Sequence, residues 1–330
     1  MLIYPNQMNS TPCTILGIDV GGTKTSLGVV SFPAGQVLFE RSFATRPERG
    51  GEALLDEIAA AATTLTAQAR QAGHPLSSVG IGICELVEPS GRIASHNCVS
   101  WTENQVRTQL SHFGPVTLEA DVRAAAMAEA LFGAGKPFGI FIYITVGTGI
   151  ACCLMLEGRP YLGARGATGT MASSPLSLPC EQCGQVNRRT LEEIASGPAL
   201  VARLNQLKPN AAATGTEVLA AAANGDAGAL AVIQSASEAL ESTVALLVNV
   251  LDPEAVIVGG GLGLSEGPFW DSFTASARKH IWSDMHRELP ILRASTGVRA
   301  GFIGAAAAAW NRGSCRQPAD GKFPFELRPR

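Results

Sequence analysis

The sequence predicts an α/β protein with two similar lobes that face a shared cleft. The chain has 330 residues, which is more than one hydrophobic core usually organises, so two domains are expected. Segments typical of strands alternate with segments typical of helices, as they do in α/β folds. A strand, a short glycine-rich turn and a second strand occur near the N-terminus and again from residue 137 onward.

The first copy of this plan occupies the N-terminal part of the chain. Strands are predicted at residues 14–30, 36–43, 77–87 and 114–121, from their apolar runs and the turn residues around them. Apolar residues at helical spacing predict a helix within residues 50–73, and Gly73 is a typical C-terminal cap. The strand at 114–121 runs directly into an alanine-rich helix.

The second copy begins with residues 137–160, which predict two antiparallel strands joined across the turn TVGTG. A long helix is predicted at 226–251, and a buried strand that ends in glycines at 254–263; the stretch 208–217 is interpreted as a surface loop. The predicted division is a smaller lobe 14–118 closed by the C-terminal helix 301–311, a larger lobe 119–300 and a tail 312–330.

Charge and hydropathy exclude several partners. The net charge is −3, and no dense run of lysine or arginine offers a footprint for a nucleic acid. The N-terminus lacks a basic start followed by an apolar stretch, and the expectation from the sequence is that no segment reaches the roughly 18 apolar residues of a membrane span. We therefore expect a cytoplasmic protein with no nucleic-acid or membrane partner.

The glycine turns predict a phosphate-binding site. Backbone N–H groups approach a phosphate closely where no Cβ intervenes, and glycine also reaches positive φ. Asp19 is placed to hold Mg²⁺, and the neighbouring hydroxyl and ammonium groups to contact phosphate oxygens. The predicted nucleotide-binding residues are Asp19, Gly21, Gly22, Thr23, Lys24, Thr145, Gly147, Thr148, Gly149, Gly259, Gly260 and Gly261. Each turn by itself is equally consistent with a tight hairpin, and neither the Walker pattern nor GxGxxG is present.

Asp121 is the predicted catalytic base. It stands between a strand end and a helix start, where a carboxylate is suited to deprotonating an acceptor hydroxyl during phosphoryl transfer. The alternative is an ordinary helix N-cap. The presence of the glycine turns favours the catalytic interpretation of Asp121 over the N-cap.

These residues together resemble the ROK family of sugar kinases, from about Ile15 to Trp310. The segments that carry the resemblance are LGIDVGGTKTSLGVV, ITVGTGIA, AVIVGGGLG and RAGFIGAAAAAW. The resemblance implies an α/β, two-lobed actin/hexokinase/Hsp70-like (ribonuclease H-like) fold with a duplicated βββαβα core. It also implies a phosphotransferase that uses ATP and Mg²⁺ on an alcohol group, and a homodimer, with a tetramer as the alternative.

The resemblance also assigns substrate-facing positions. LEADVRAAAMAE is similar to the segment that carries the base, at Asp121, while SHNCVSW and RTLEEIASGPAL place sugar contacts at Asn97 and Glu192. Other positions depart from the family pattern: Ala120 and Arg123 replace asparagines, and Thr170 and Ser173 stand where glutamate and histidine belong. The lost acceptor groups predict poor binding of an ordinary hexose. Arg123 and Arg165 are interpreted as surface ion-pairing residues rather than anion ligands.

The family's zinc site is incomplete in this sequence. Of eight cysteines most lie in apolar strand-like runs, and only Cys180 and Cys183 stand apart. Thr190 takes the third ligand position, and no histidine lies between His112 and His280. Because two thiolates do not complete a tetrahedral site, no zinc is predicted.

The expected function is thus an ATP-dependent kinase acting on an atypical hexose, an amino sugar or a cyclitol. The alternative is a sensor or scaffold of the same fold with impaired catalysis, which the altered sugar contacts favour and the retained Asp19 and Asp121 oppose. A repressor is disfavoured because the first phosphate strand begins near Ile15, which leaves no room for a helix-turn-helix.

Overall fold

The computed structural model describes residues 12–179 and 186–312. The first sheet contains β1 (Cys13–Val20), β2 (Lys24–Phe32), β3 (Gln36–Ala44), β4 (Leu76–Ile83) and β5 (Val116–Ala120). The second begins with β6 (Ile140–Val146), β7 (Ile150–Leu156) and β8 (Arg159–Pro160). A two-stranded ribbon of β9 (Pro175–Pro179) and β10 (Val186–Thr190) follows, and β11 (Ala255–Gly259) and β12 (Ile291–Arg293) complete the second sheet.

The two five-stranded sheets have the same topology. Their strand orders are β3-β2-β1-β4-β5 and β8-β7-β6-β11-β12. In each sheet the first three strands in sequence are antiparallel neighbours, and the last two run parallel to the first. The antiparallel strands need only short turns, whereas the parallel ones need crossovers that contain helices. The predicted duplicated core is confirmed.

The helices fill these crossovers and cover the sheets. They are α1 (Gly51–Gln71), α2 (Glu103–Leu110), α3 (Asp121–Phe132), α4 (Glu192–Ala195), α5 (Gly197–Leu207), α6 (Gly215–Ala223), α7 (Ala227–Leu251), α8 (Gly260–Gly263), α9 (Pro268–Ala277), α10 (Asp284–Arg287) and α11 (Ala300–Arg312). Side-chain caps define several starts: Thr102 and Gln105 form a capping box at α2, and Asp226 accepts the N–H of Ala229 at 2.9 Å at the start of α7.

Helix α11 lies directly on the first sheet because that contact is lined with residues that have little or no side chain. A Cβ at Gly17 of β1 would lie 1.9 Å from the carbonyl oxygen of Phe302, and one at Gly80 of β4 would lie 1.8 Å from that of Ala305. The same helix approaches α3 at Gly304, where a Cβ would overlap the carbonyl of Ala124. These close contacts fix α11 and α3 against each other.

Helices α3 and α11 also form the core between the two sheets. Buried residues of both sheets pack on them, and the rings of Phe32 and Trp310 stack with centroids 5.0 Å apart. Separate apolar clusters lie within each lobe. The residue boundaries that the sequence predicted for the lobes stay a prediction.

Some strand ends differ from the prediction. Strand β4 ends at Ile83, before Cys84–Val87, because Glu85 turns to bind the backbone of residues 97–99. Strand β11 ends at Gly259, and Gly260 begins the short helix α8. The predicted tail after Arg312 lies outside the described residues.

Helix α7 corrects the expectation that no segment is apolar enough to span a membrane. By length and composition alone its 25 residues pass that test, and half of the most apolar window is buried. Its buried side, which includes Val232, Leu240 and Val248, contributes to the core of the larger lobe. A core helix and a membrane span share these properties, so composition alone does not separate them.

Candidate active site

A cleft of about 250 Å³ lies between the two sheets. Its lining comes from the carboxyl ends of β1 and β6, from the start of α3, and from the residues that follow β11. Ligand sites of open α/β sheets occur at such strand ends. The residues that line it include Asp19, Lys24, Asp121, Tyr143, Thr145, Gly260, Gly261 and Gly301.

Two carboxyl groups, Asp19 and Asp121, face this cleft. Burial, and then the nearby charge of Asp121, raise the pKa of Asp19 to about 7, while Lys24 opposes the shift. Burial also raises the pKa of Asp121 to about 6; the N–H of Val122, which donates to it at 2.6 Å, lowers that pKa, and Glu85 raises it further. The cleft therefore holds negative charge that a cation would stabilise.

Gly301 allows Asp19 to contact the first turn of α11. A Cβ at this position would lie 2.2 Å from the carboxyl carbon of Asp19, so only glycine fits without displacing the carboxylate. Sequence reasoning assigned RAGFIGAAAAAW to a closing helix but missed this contact. Gly301 is the second residue of this helix, and the helical pattern of the sequence does not show which side chain packs against it.

The first two glycine turns contact each other. The hydroxyl oxygens of Thr23 and Thr148 lie 2.8 Å apart, and a Cβ at Gly22 would lie 3.8 Å from the Cγ2 of Thr148. Gly21 N–H donates to the carbonyl of Lys24 at 3.1 Å, and Gly147 N–H donates to that of Gly149 at 2.9 Å, so both are tight β-hairpin turns. Both turns are therefore tight hairpins, as the alternative expected. A hairpin turn can also lie beside the cleft, so the two interpretations are compatible.

The three glycines after Val258 have different surroundings. A Cβ at Gly259 would lie 2.2 Å from the hydroxyl of Tyr143, so this glycine makes room for a side chain that lines the cleft. Gly260 has φ of +80° and contacts the backbone of Val146, whereas no heavy atom lies within 4 Å of a Cβ built on Gly261. Gly261 thus offers open backbone to a ligand.

Glu85, which sequence reasoning missed, organises the loop that carries Asn97. Its buried carboxylate accepts the N–H groups of Asn97 at 2.9 Å, Cys98 at 2.5 Å and Val99 at 2.9 Å, and also the hydroxyl of Ser95. Burial opposes ionisation, but these hydrogen bonds outweigh it and hold the pKa of Glu85 below its usual range. Asn97 itself is exposed.

The remaining predicted substrate contacts come from the larger lobe. Glu192 is exposed at the start of α4, and its Oε2 accepts the N–H of Ile150 at 2.9 Å, beside the β6–β7 turn. Thr170 and Ser173 are exposed in the segment next to β7, where the hydroxyl of Ser173 donates to the carbonyl of Thr170 at 2.9 Å. Their predicted roles in substrate binding stay predictions.

Arg123 is not the surface residue that the sequence suggested. It is 3% exposed and forms an ion pair with Glu119 inside the protein. Arg165 is exposed.

The prediction that no zinc is bound rests on Cys180 and Cys183, which lie outside the described residues, and on Thr190. In the structure the hydroxyl of Thr190 donates to Glu193 at 3.1 Å.

Comparison with known proteins identifies the family. Residues 15–312 match the ROK family. A glucokinase of Streptomyces coelicolor is 30% identical over 315 residues, which cover 88% of this chain and 96% of the relative. A kanosamine kinase of Amycolatopsis mediterranei is 29% identical over 250 residues, covering 74% of this chain and 80% of the relative.

A solved structure agrees with these relatives. The crystal structure of a ROK family glucokinase from Streptomyces griseus, in complex with glucose and AMPPNP, aligns with a TM-score of 0.77 and 28% identity. The alignment covers 90% of this chain and 99% of that one. The match over almost the whole chain, together with the shared two-lobed actin/hexokinase-like fold, shows that this protein belongs to the ROK family.

Proposed function

We propose that this protein is an ATP-dependent kinase that phosphorylates a hydroxyl of a sugar or sugar-like polyol, with Asp121 as the general base. One observation carries the proposal: Asp121 starts α3 in a cleft that residues of both lobes line, next to Asp19 and the glycines after β11. The names of the relatives support the reaction class, since they include a glucokinase and a kanosamine kinase. The nucleotide analogue bound to the related glucokinase supports ATP as donor.

The nucleotide side of the proposed site combines the glycine turns with Asp19 and Lys24. The open backbone at Gly261 and the ammonium of Lys24 suit phosphate oxygens. Asp19 would hold Mg²⁺, directly or through its waters, because hard oxygen donors suit this ion and because a cation would offset the burial and the neighbouring charge of Asp121 that together raise the pKa of Asp19. When bound, Mg²⁺ neutralises charge on the phosphates.

On the acceptor side, Asp121 would take the proton of the attacking hydroxyl. With a pKa of about 6 it is mostly ionised at neutral pH, yet basic enough to accept a proton from an alcohol as the new bond to phosphorus forms. Asn97 and Glu192 would orient the acceptor. Contact between the lobes would exclude water, which otherwise competes for the phosphoryl group.

The acceptor is proposed to differ from an ordinary hexose. Thr170 and Ser173 supply hydroxyls where the resemblance expects a carboxylate and an imidazole, and Ala120 supplies no polar group. A site without those acceptors loses hydrogen bonds to sugar hydroxyls, which favours an amino sugar, a deoxy sugar or a cyclitol. The sensor alternative is not favoured, because a pure binding protein has no need for a base with a tuned pKa at residue 121.

An acceptor panel tests the proposal. ATP consumption is measured with hexoses, amino sugars and cyclitols, using wild type, Asp121→Asn and the exposed control Asp271→Asn. We expect turnover on at least one acceptor by wild type and by the control, and a loss of about 10²-fold or more in Asp121→Asn. Tight binding of an acceptor without turnover would instead favour the sensor.

The remaining expectations concern partners and location. A homodimer in the cytoplasm, without nucleic-acid or membrane partners, stays a proposal. Exposed apolar side chains around the end of α7, Leu246 and Val250 beside Trp282 and Met285, mark a surface suited to a second copy of the chain. Light scattering of the purified protein at micromolar concentration measures the oligomeric state directly.

A further inference from the structure

Arg123 joins three parts of the structure that are distant in sequence. Its Nε donates to the Oε1 of Glu119 at 2.6 Å, its Nη2 to the carbonyl of Val87 at 2.6 Å, and its Nη1 to the carbonyl of Gly166 at 3.0 Å. All three nitrogens of the guanidinium are thus engaged within the protein, and the residue is 3% exposed. A group held in this way does not reach a ligand.

The two carbonyls belong to loops from different lobes. Val87 lies between β4 and α2, on the segment that also carries Asn97, while Gly166 lies between β8 and β9, a few residues before Thr170. The loops touch at this point: Gly166 has φ of +72°, and a Cβ there would lie 2.2 Å from the carbonyl oxygen of Val87. Arg123 therefore fastens both acceptor-side loops to α3, two residues after Asp121.

The buried charge of Arg123 is paired with the carboxylate of Glu119. Glu119 of β5 is 4% exposed, and its Oε1 also accepts the N–H of Ala120 at 3.0 Å. A carboxylate and two carbonyls around one guanidinium compensate a charge that would otherwise be costly to bury. The planar, three-sided geometry of these bonds suits arginine and does not suit the compact ammonium of lysine.

We propose that Arg123 is a positioning residue for the acceptor: it sets the spacing between the two loops that present the acceptor and the base at the start of α3. The inference rests on the proposed kinase function. It assigns to residue 123 an internal role, whereas the sequence resemblance had expected a sugar-facing side chain there. Substrate choice in this chain then depends on how Arg123 holds loops 84–99 and 161–173 together.

The first test compares conservative exchanges in two arginine–glutamate pairs. Arg123→Lys breaks the buried geometry, while Arg92→Lys makes the same exchange in the exposed Arg92–Glu88 pair of the same loop. We expect Arg123→Lys to raise the KM for the acceptor by about tenfold or more with less than about a twofold change in the KM for ATP. The control should change neither. An unchanged acceptor KM in folded Arg123→Lys overturns the proposal, as does an equal rise of both constants.

Two further variants separate positioning from stability. Replacing the pair together, Glu119→Met with Arg123→Met, removes both charges, so no buried charge is left unpaired. Gly166→Ala forces the loops apart and leaves the charges in place. Both should raise the acceptor KM selectively, and a folded double variant with wild-type acceptor KM would mean that the pair is only structural.

Hydrogen exchange gives a readout that does not depend on activity. Faster exchange of backbone amides in residues 84–99 and 161–173 is expected in Arg123→Lys, and wild-type exchange in both loops would overturn the proposal. If wild type phosphorylates no acceptor, the proposed function fails, and the exchange measurement still decides whether Arg123 holds the loops.

Discussion

The hydroxyls of Thr23 and Thr148 lie 2.8 Å apart and join the two glycine turns of a duplicated fold across the cleft between its sheets. The two residues are 125 positions apart in the sequence and occupy equivalent turns, β1–β2 and β6–β7. The sequence predicts phosphate contacts from the glycine turns taken together. Their direct hydrogen bond means that the two lobes meet at the residues proposed to hold the phosphates.

Removing this bond should weaken nucleotide use without unfolding the protein. Thr23→Val and Thr148→Val each keep the side-chain shape and lose one hydroxyl, so we expect a rise of about 2–10-fold in the KM for ATP, the effect of one hydrogen bond. The double variant should cost little more than either single variant, because both remove the same bond. Thr63→Val is the control, since the hydroxyl of Thr63 donates to the carbonyl of Ala59 within its own helix α1. Strictly additive effects would show that the two hydroxyls act separately.

The activity should depend on pH through Asp121. Since burial raises the pKa of this carboxyl to about 6, the base becomes protonated as the pH falls, and kcat/KM should decrease between pH 7 and pH 5 at saturating Mg²⁺. The residual activity of Asp121→Asn should not vary in that range. A wild-type profile that stays level down to pH 5 would contradict the assignment of Asp121 as base.

Asp19 should destabilise the free protein at neutral and higher pH. Its folded-state pKa of about 7 lies above the value of 3.8 for an unperturbed aspartate, so its contribution to stability is fully present below about pH 4 and is lost as the pH rises through 7. Asp19→Asn removes that penalty and should be more stable than wild type by about 1–3 kcal/mol at pH 8, with little difference at pH 4. Thermal unfolding at both pH values, without Mg²⁺, measures this. Equal effects at pH 4 and pH 8 would contradict the sign.

Gly80 should be essential for the packing of α11 on the first sheet. A Cβ there would lie 1.8 Å from the carbonyl oxygen of Ala305, and neither backbone yields without displacing the helix. We expect Gly80→Ala to lower the free energy of unfolding by about 1–3 kcal/mol or more. Gly261→Ala, where no heavy atom lies within 4 Å of the added group, is the stability control. Denaturant unfolding of both variants is the measurement.

Zinc content tests the prediction that concerns Cys180 and Cys183. Two cysteines with Thr190 at the third position do not complete a tetrahedral site, so protein purified without added metal should contain far less than one zinc per chain. Elemental analysis after extensive dialysis measures this. One equivalent of tightly bound zinc would show that other ligands complete the site.

Local patterns predicted those features that each depend on a short stretch of chain. Apolar runs located the strands, helical spacing located α1 and α7, and the repeated glycine turns indicated the duplication that the two sheets confirm. Asp121 was identifiable because a strand and a helix meet there. Such features can be predicted from one sequence because helices and strands place their buried residues at short, regular intervals along the chain.

The contacts of Glu85, Gly301 and Arg123 had no such signal. The predicted strand 77–87 includes Glu85, yet its carboxylate organises residues 95–99. The sequence favours a surface position for Arg123, yet its guanidinium donates to carbonyls 36 and 43 residues away. Hydrogen bonds of this kind depend on which loops meet, and the identity of a single residue does not encode its distant neighbours.

The sequence alone therefore determined the class of fold, its duplication and the positions of the acidic and glycine residues, because each follows from local periodicity and turn chemistry. Only the tertiary structure decided which of these residues share the cleft, that burial and the charge of Asp121 raise the pKa of Asp19, and that Arg123 lies inside the protein. The reason is physical: charge and packing energies depend on distances across the fold, and those distances are set only when the two sheets close on α3 and α11.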